Sequence, residues 1–232
     1  MKRTDLAEFL GIMIGDGNIY QKYGKNSIVI TGHSEEDAPY LHAYITPLIF
    51  SLFSMSVSVW RHKNKNAIAL AFHSREIIQL LVSHGLNTGP KKMHIPPMIY
   101  TNKKLIARFL RGVVDTDFGM LFKKNKRPTH SYPLISATFS NYRFVLHLQD
   151  LFKRLELPSS IYQTSRVIDG KTFIQYQIDI YGKENLDRYL KLIGFRNEKH
   201  LTKVEIWKRF GYYTPRTPIR ERYRLLQKPY KW

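Results

Sequence analysis

The 232-residue sequence predicts an α+β protein built from two pseudo-symmetric αββαββα halves. Three observations carry that reading. Apolar residues alternate between helical and strand periods in the same order twice over. A Gly- and Pro-bearing stretch at 87–102 separates the two runs. Landmarks before that stretch recur after it at a nearly constant offset. The acid that ends the first buried helix shifts by 101 residues, from Asp16 to Asp117; the caps Ser34 and Asn141 differ by 107, and the helix-closing Gly85 and Gly194 by 109. Such a shift across several element types marks an internal duplication. The expected division is a first half at 1–86, a linker at 87–102, and a second half at 103–232 with a basic tail.

The elements follow in order. Leu6, Phe9, Leu10, Ile12, Met13 and Ile14 make the first segment apolar nearly all round, as a buried helix is. Thr4 or Asp5 is expected to cap it, and Gly15-Asp16-Gly17 to end it. Strands at 18–23 and 27–33 read as a hairpin turning near Gly24. Ser34 should cap a helix whose apolar positions are 41, 44, 45, 48, 49, 52 and 53. Strands at 56–62 and 67–73 turn through 63–66, and Ser74 caps a short helix over 75–83. The second half repeats this: a helix at 104–115, a hairpin at 120–124 and 134–140, and an Asn141-capped helix apolar at 144, 145, 148, 151, 152 and 155. Strands at 160–168 and 172–181 then turn at Asp169-Gly170, and a helix over 183–193 closes at Gly194.

Composition narrows the function. Lys and Arg number 37 against 18 Asp and Glu, a net charge of +19, so a polyanionic partner is expected. With 43% hydrophobic residues, a disordered chain is excluded. Cysteine is absent, which removes disulfides, thiol nucleophiles and Cys-ligated zinc. None of the nine His are paired at i, i+4, and there is no HExxH. Residues 38–60 lack Asp, Glu, Lys and Arg, yet Pro39, Pro47, Thr46 and four serines argue against a membrane span. The N-terminus enters a core-like segment without the layout of a signal peptide. An intracellular protein, cytoplasmic or organellar, with no membrane partner is the expectation.

The chemistry lies where the two buried helices end. Gly11 and Gly15 sit four apart, as do Gly112 and Thr116, and small residues at that spacing let helix backbones approach closely. If these helices pack together, Asp16 and Asp117 meet at adjacent C-termini. The carboxylates then repel, and each lies at the negative end of a helix dipole. Divalent cations resolve both problems, and carboxylates beside such cations are a common device for phosphodiester hydrolysis.

Phe9-Leu10-Gly11-Ile12-Met13-Ile14-Gly15-Asp16-Gly17 and Phe109-Leu110-Arg111-Gly112-Val113-Val114-Asp115-Thr116-Asp117 resemble the two signatures of a single-chain LAGLIDADG homing endonuclease. The resemblance covers nearly the whole chain. It implies a monomer whose motif helices pack at the centre of a DNA-binding saddle. It also implies an intron-encoded enzyme that cuts both strands of a long double-stranded DNA site with Mg²⁺, two or more divalent cations in all. The metal-binding acids map to Asp16 and Asp117, with the carbonyls of Gly15 and Thr116 as further ligands. One departure is that Phe118 replaces the second closing glycine, with Gly119 one place later.

DNA contacts are expected from the sheet faces opposite the buried helices. Gln175, Gln177 and Asp179 alternate with Ile174, Tyr176, Ile178 and Ile180, and have the right chemistry for base edges in a major groove. Ser136, Thr138 and Ser140 point the same way, with Val29, Thr31 and His33 at the matching places of the first half, and Tyr20 nearby. Basic turns should hold phosphates: Lys22, Lys25, Arg61, Lys63, Lys65, Lys123, Lys124, Lys126, Arg127, Arg166 and Lys171. In the resemblance, His33 stands where a polar or basic group orders solvent near the scissile phosphate; its counterpart Ser140 cannot do a lysine's electrostatic work. The tail, 208–232, carries eight basic residues against Glu221 and could either clamp DNA or pack on the second half. The alternatives are a maturase acting on intron RNA, or a non-catalytic DNA-binding regulator on the same scaffold. Neither would need both acids. An intein is disfavoured because the first motif begins within ten residues of Met1.

Overall fold

A computed structural model describes residues 2–22, 25–89, 93–126 and 128–232. The first half runs α1 (Arg3–Gly15), β1 (Gly17–Lys22), β2 (Lys25–His33), α2 (38–53), β3 (Ser58–Arg61), β4 (Ala67–Phe72) and α3 (Arg75–Ser83). The second runs α4 (Lys103–Asp117), β5 (Gly119–Lys124), β6 (His130–Phe139), α5 (Tyr142–Arg154), β7 (Ser160–Ile168), β8 (Lys171–Tyr181) and α6 (Lys183–Leu192). Two further helices, α7 (Glu198–Phe210) and α8 (Ile219–Leu225), lie beyond the repeat. Both sheets are antiparallel with the same order, β1-β2-β4-β3 and β5-β6-β8-β7. Register is duplicated too: Thr31 pairs with Ala69 and its counterpart Thr138 with Gln177. The turns near Gly24 and at Arg127 lie outside the described residues, as do the side chains of Lys22 and Lys25.

The two motif helices meet backbone to backbone. A Cβ on Gly11 would stand 2.2 Å from the Phe109 carbonyl oxygen, and one on Gly112 would stand 2.2 Å from that of Glu8. Only glycine permits that approach. Around the crossing Phe9, Leu10, Ile12, Phe109, Leu110 and Val113 are fully buried. So is Glu8, whose carboxylate faces Arg108 at 2.9 Å and Arg111 at 3.5 Å from α4 and accepts from the Tyr44 hydroxyl at 2.6 Å. A charge buried this deeply is tolerated because it is paired and hydrogen-bonded.

Capping follows the sequence in some places and departs in others. Ser74 accepts from the Ile77 amide, Asn141 from that of Phe144, and Asn102 from that of Lys104. Thr4 and Asp5 do not cap α1: they lie inside it, after Lys2. Ser34 does not cap α2 either, which begins after Asp37, and the Asp37 carboxylate instead accepts from the His33 amide at 2.8 Å. Within α2 the stretch Leu41–Ile45 is a π-helix. Pro47 lacks the N–H that would continue the α ladder, and the Thr46 hydroxyl donates to the Leu41 carbonyl at 2.9 Å.

Phe118, the departure in the second motif, is a core residue. Its ring packs edge-on against Phe139 at 5.9 Å and Phe152 at 6.1 Å, so β5 starts at Gly119. The described end of the linker is more ordered than its composition suggests: Pro97–Thr101 forms a 3-10 turn, with Ile95 and Ile99 buried.

The tail packs on the second half, one of the two alternatives anticipated for it: the Tyr213 amide donates to the His130 carbonyl and its ring meets Phe122. It also crosses to the first half. Arg222 of α8 is buried, donates to the Lys199 carbonyl at 2.7 Å and the Thr202 hydroxyl at 2.9 Å, and ion-pairs with Glu36. The Ile219 amide donates to Glu36, the Tyr230 hydroxyl to the Glu35 carbonyl, and Trp232 stacks on His42. The loop that follows β2 is thereby tied to the end of the chain.

Candidate metal and nucleic-acid site

The helix crossing places both acids at one point. Asp16 caps α1, its amide donating to Ile12 at 3.0 Å, and its carbonyl accepts from Thr31 of β2 at 3.3 Å. Asp117 is the last residue of α4. A Cβ on Gly15 would stand 1.9 Å from the Thr116 hydroxyl oxygen and 3.2 Å from Asp117 Oδ2. Gly15, Thr116 and the Asp117 carboxylate are thus neighbours across the pair. The Thr116 hydroxyl is occupied by its own helix, donating toward the Gly112 and Val113 carbonyls.

A cation already sits here. Lys199 Nζ of α7 donates to the Thr116 carbonyl at 3.2 Å and lies 3.0 Å from Asp37 Oδ1. Burial opposes its charge, but Asp37 and then Asp16 outweigh it and hold its pKa above the usual lysine value. Asn197 spans the same space, donating to Asp37 Oδ1 at 2.8 Å and to the Asp115 carbonyl at 3.0 Å. Asp115 is fully buried, which pushes its carboxyl up to about 7, against the Arg196 amide that donates to it at 2.8 Å.

The donor set suits a hard divalent ion: carboxylate and carbonyl oxygens, with no Cβ at Gly15 to crowd them. Among the described residues no group of three or more His, Cys, Asp and Glu could hold a metal. The remaining ligands would therefore come from water or substrate oxygens, as is usual for Mg²⁺.

His33 stands exposed at the end of β2, at the cleft that also holds Lys199. Its Nδ1 accepts from the amides of Glu35 and Glu36 at 3.2 and 3.3 Å, so that nitrogen serves the turn and only Nε2 faces outward.

On the outer faces of the sheets, away from the motif helices, register places Gln175, Gln177, Thr138, Ser136 and Lys171 on one side of the second half. Thr31, His33 and Tyr20 share the corresponding side of the first. Lys123 lies over the Tyr181 ring at 5.4 Å on the same face. Lys63, Lys65, Lys124, Lys126, Ser140 and Arg166 are exposed at turns and strand ends. Two expectations are corrected. Asp179 is fully buried, and its carboxylate accepts from the Gln177 amide at 2.9 and 2.8 Å and from the Tyr181 hydroxyl, leaving no edge to offer a base. Arg61 pairs with Ile68 and so projects on the helix side, where its charge bears on His42 and Tyr230. Sequence reading also missed exposed aromatics of the outer face, Trp60, Tyr162 and Phe173, which strand alternation alone would have found. Lys199 gave no such signal.

A duplicated αββαββα unit with paired acids at the ends of two crossed helices is the LAGLIDADG architecture. Residues 104–194 match the family model of the LAGLIDADG-like domain. Over 83% to 88% of its length the chain has the fold of the single-chain LAGLIDADG homing endonucleases. It superposes on a mesophilic variant of the homing endonuclease I-DmoI with a TM-score of 0.58 at 14% identity, covering 83% of this chain and 96% of that one. For the meganuclease I-SmaMI, bound to uncleaveable DNA, the values are 0.54 and 11%, over 88% and 89%. For the N-terminal LAGLIDADG domain of WhiA they are 0.51 and 18%, over 84% of each. I-DmoI itself has been solved with DNA and Mn, and with DNA and Ca. Among curated proteins, the chain is 25% identical over 205 residues to a probable translation initiation factor IF-2 of Methanocaldococcus jannaschii, covering 84% of this chain and 16% of that protein. It is 28% identical over 201 residues to a replication factor C small subunit of Thermococcus kodakarensis, covering 86% and 20%. The chain spans a fifth or less of the curated relatives it matches.

Proposed function

We propose that this chain is a site-specific homing endonuclease that makes a double-strand break in a long, asymmetric double-stranded DNA target and serves intron homing. The observation that carries this is the acid pair: Asp16 and Asp117 close the two crossed helices, with Gly15 and Thr116 packed between them. Asp16, Asp117 and the carbonyls of Gly15 and Thr116 would hold the divalent cations, Mg²⁺ in the cell. When bound, these stabilise charge developing on the scissile phosphate and lower the pKa of an attacking water.

The chain's own residues do the rest. Each motif helix ends at the centre of the molecule, so each acid meets one strand of a duplex laid along the two outer faces. Lys63, Lys65, Lys123, Lys126, Arg166 and Lys171 neutralise backbone phosphates, which sets affinity but not sequence. Gln175, Gln177, Thr138, Ser136 and Thr31 offer donors and acceptors to base edges, and a two-stranded ribbon such as β7–β8 fits a major groove. Because the halves differ in sequence, the target they read is asymmetric. The duplication also supplies in one chain what a symmetric dimer would provide, so the protein acts as a monomer. The test is to incubate it with candidate insertion-free alleles and Mg²⁺, then map both cut ends. Cleavage confined to one sequence, on both strands, is expected; no cleavage of any allele, or random nicking, would overturn the reading.

A further inference from the structure

Beside the acid pair, α7 and the tail close off a cleft of ≈ 610 Å³ that the duplicated unit does not itself build. One wall is the start of β5, another is α7, and the third is the tail loop around Pro215, with His33 and Asp37 at the edge. Five cationic side chains line it. Two are matched: Lys199 by Asp37 and Arg222 by Glu36. The other three, Lys123, Lys203 and Arg216, have no carboxylate within ion-pair distance among the described residues.

Lys203 is the informative one. It is largely withdrawn from solvent, and Nζ donates to a neutral acceptor, the Met120 carbonyl, at 3.3 Å. Burial pushes its pKa down to about 8, and Arg222 and Lys199 add to this, while Glu36 and Asp37 oppose it. A cation held out of water among other cations is costly unless an anion joins it. Leu121 and Pro215 give the cleft an apolar flank that suits a sugar or a base rather than a bare ion.

We propose that this cleft binds a phosphate group of a nucleic-acid strand as it leaves the acid pair, with Lys203 as the principal contact. The inference rests on the proposed DNA-cleavage reading for its choice of strand. Lys199 links the two places, since its ammonium touches the Thr116 carbonyl and also lines the cleft. Lys123 and His33 connect the cleft to the outer faces over which DNA is expected to lie.

The test uses the intact chain in EDTA, so that binding is read without cleavage. A short 5′-phosphorylated single strand is titrated by fluorescence anisotropy, with inorganic phosphate as competitor. Lys203→Met should weaken strand binding about tenfold, the scale of one charge-assisted hydrogen bond, and lower the salt slope by about 0.7 for one single-strand phosphate lost. Lys203→Arg should restore both, and Lys153→Met, at an exposed position of α5, should change neither. Melting curves identify a Lys203→Met protein that has failed to fold, in which case Lys203→Gln and protection of Lys203 from acetic anhydride by the same strand decide instead. Unchanged affinity and slope, or an equal loss for Lys153→Met, overturns the proposal. If phosphate protects Lys203 but the strand does not, the site takes free anions and the strand assignment is wrong. Should wild-type protein cut plasmid while Lys203→Met binds normally, the cleft proposal fails and the nuclease reading stands; the opposite pattern fails the nuclease reading alone.

Discussion

Gly112→Ala tests the helix crossing that brings the acids together. The new methyl would lie 2.2 Å from the Glu8 carbonyl oxygen and 2.7 Å from the Ile12 nitrogen, both backbone atoms. Ordinary contact begins at 3.4 Å, so the two helices must part by about 1.2 Å. A gap of that order forfeits roughly a quarter to a half of the dispersion well for each atom pair it opens. The pairs concerned involve Phe9, Ile12, Phe109 and Val113, all fully buried. Overpacking of this kind costs about 1–3 kcal/mol, and backbone against backbone belongs at the upper end. Replacing a helical glycine by alanine returns up to about 1 kcal/mol in propensity. The expected net loss is about 2 kcal/mol, or a melting point about 4–8 °C lower for a chain of this size. Cleavage should fall further than stability, because Asp16 and Asp117 separate with the helices. Gly11→Ala should match it, since its methyl meets the Phe109 carbonyl at the same 2.2 Å. The double variant should cost less than the sum, because the helices need part only once. Calorimetry and plasmid cleavage check both statements. A Gly112→Ala protein as stable as wild type would mean propensity alone governs the site and the close crossing is wrong.

Asp16→Asn and Asp117→Asn should each abolish double-strand cleavage in Mg²⁺ while DNA binding in Ca²⁺ stays near wild type; either variant cutting both strands at the wild-type rate would remove that acid from the mechanism. Gln175→Ala should relax preference at one or two base pairs by roughly 1–3 kcal/mol, whereas loss of Lys171 should weaken all sequences alike; equal losses on cognate and random DNA for Gln175→Ala would refute the readout. Gln177→Ala should in addition destabilise the fold, because Asp179 then keeps Tyr181 but loses its amide donor; calorimetry showing an unchanged melting point would contradict that. His200 is fully buried, and burial holds its pKa well below the ordinary 6.5, with Lys199 and Lys203 adding to this. Its folded value lies under its unfolded value, so stability is whole above about pH 6.5 and declines as pH falls toward the folded value. His200→Gln, which keeps an acceptor for the Met120 amide, should flatten that acid limb, and an unchanged pH slope would exclude His200 as its source.

Much of this was legible because duplication states each element twice. The helical stripe at 144, 145, 148, 151, 152 and 155 is buried throughout, and the positive φ of Asp169 and Gly170 makes the turn that their residue types require. Register-dependent features were less so. Asp179 alternates correctly with the core isoleucines, yet its neighbours Gln177 and Tyr181 on the same face close over it and satisfy it. Alternation gives the side of a sheet, not which polar groups pair with one another. Glu8 was lost in an apolar helix because its partners, Arg108, Arg111 and Tyr44, are 36 or more residues away. Lys199 and the tail lie outside the repeat, so no second copy marked them.

The segment beyond the repeat also bears on the electrostatics of the proposed metal centre. Two helix C-termini and two carboxylates concentrate negative charge at one place. α7 brings positive charge to it: Lys199 reaches the Thr116 carbonyl and, held by Asp37, feels Asp16 as well. Asp37 belongs to the first half, α7 to the end of the second, and Arg222 binds the Lys199 carbonyl while pairing with Glu36. The same few residues therefore join the halves and balance the acids. On the proposed reading the symmetric pair of motifs would supply the chemistry, and an unsymmetric segment of the second half sets a cation beside that pair.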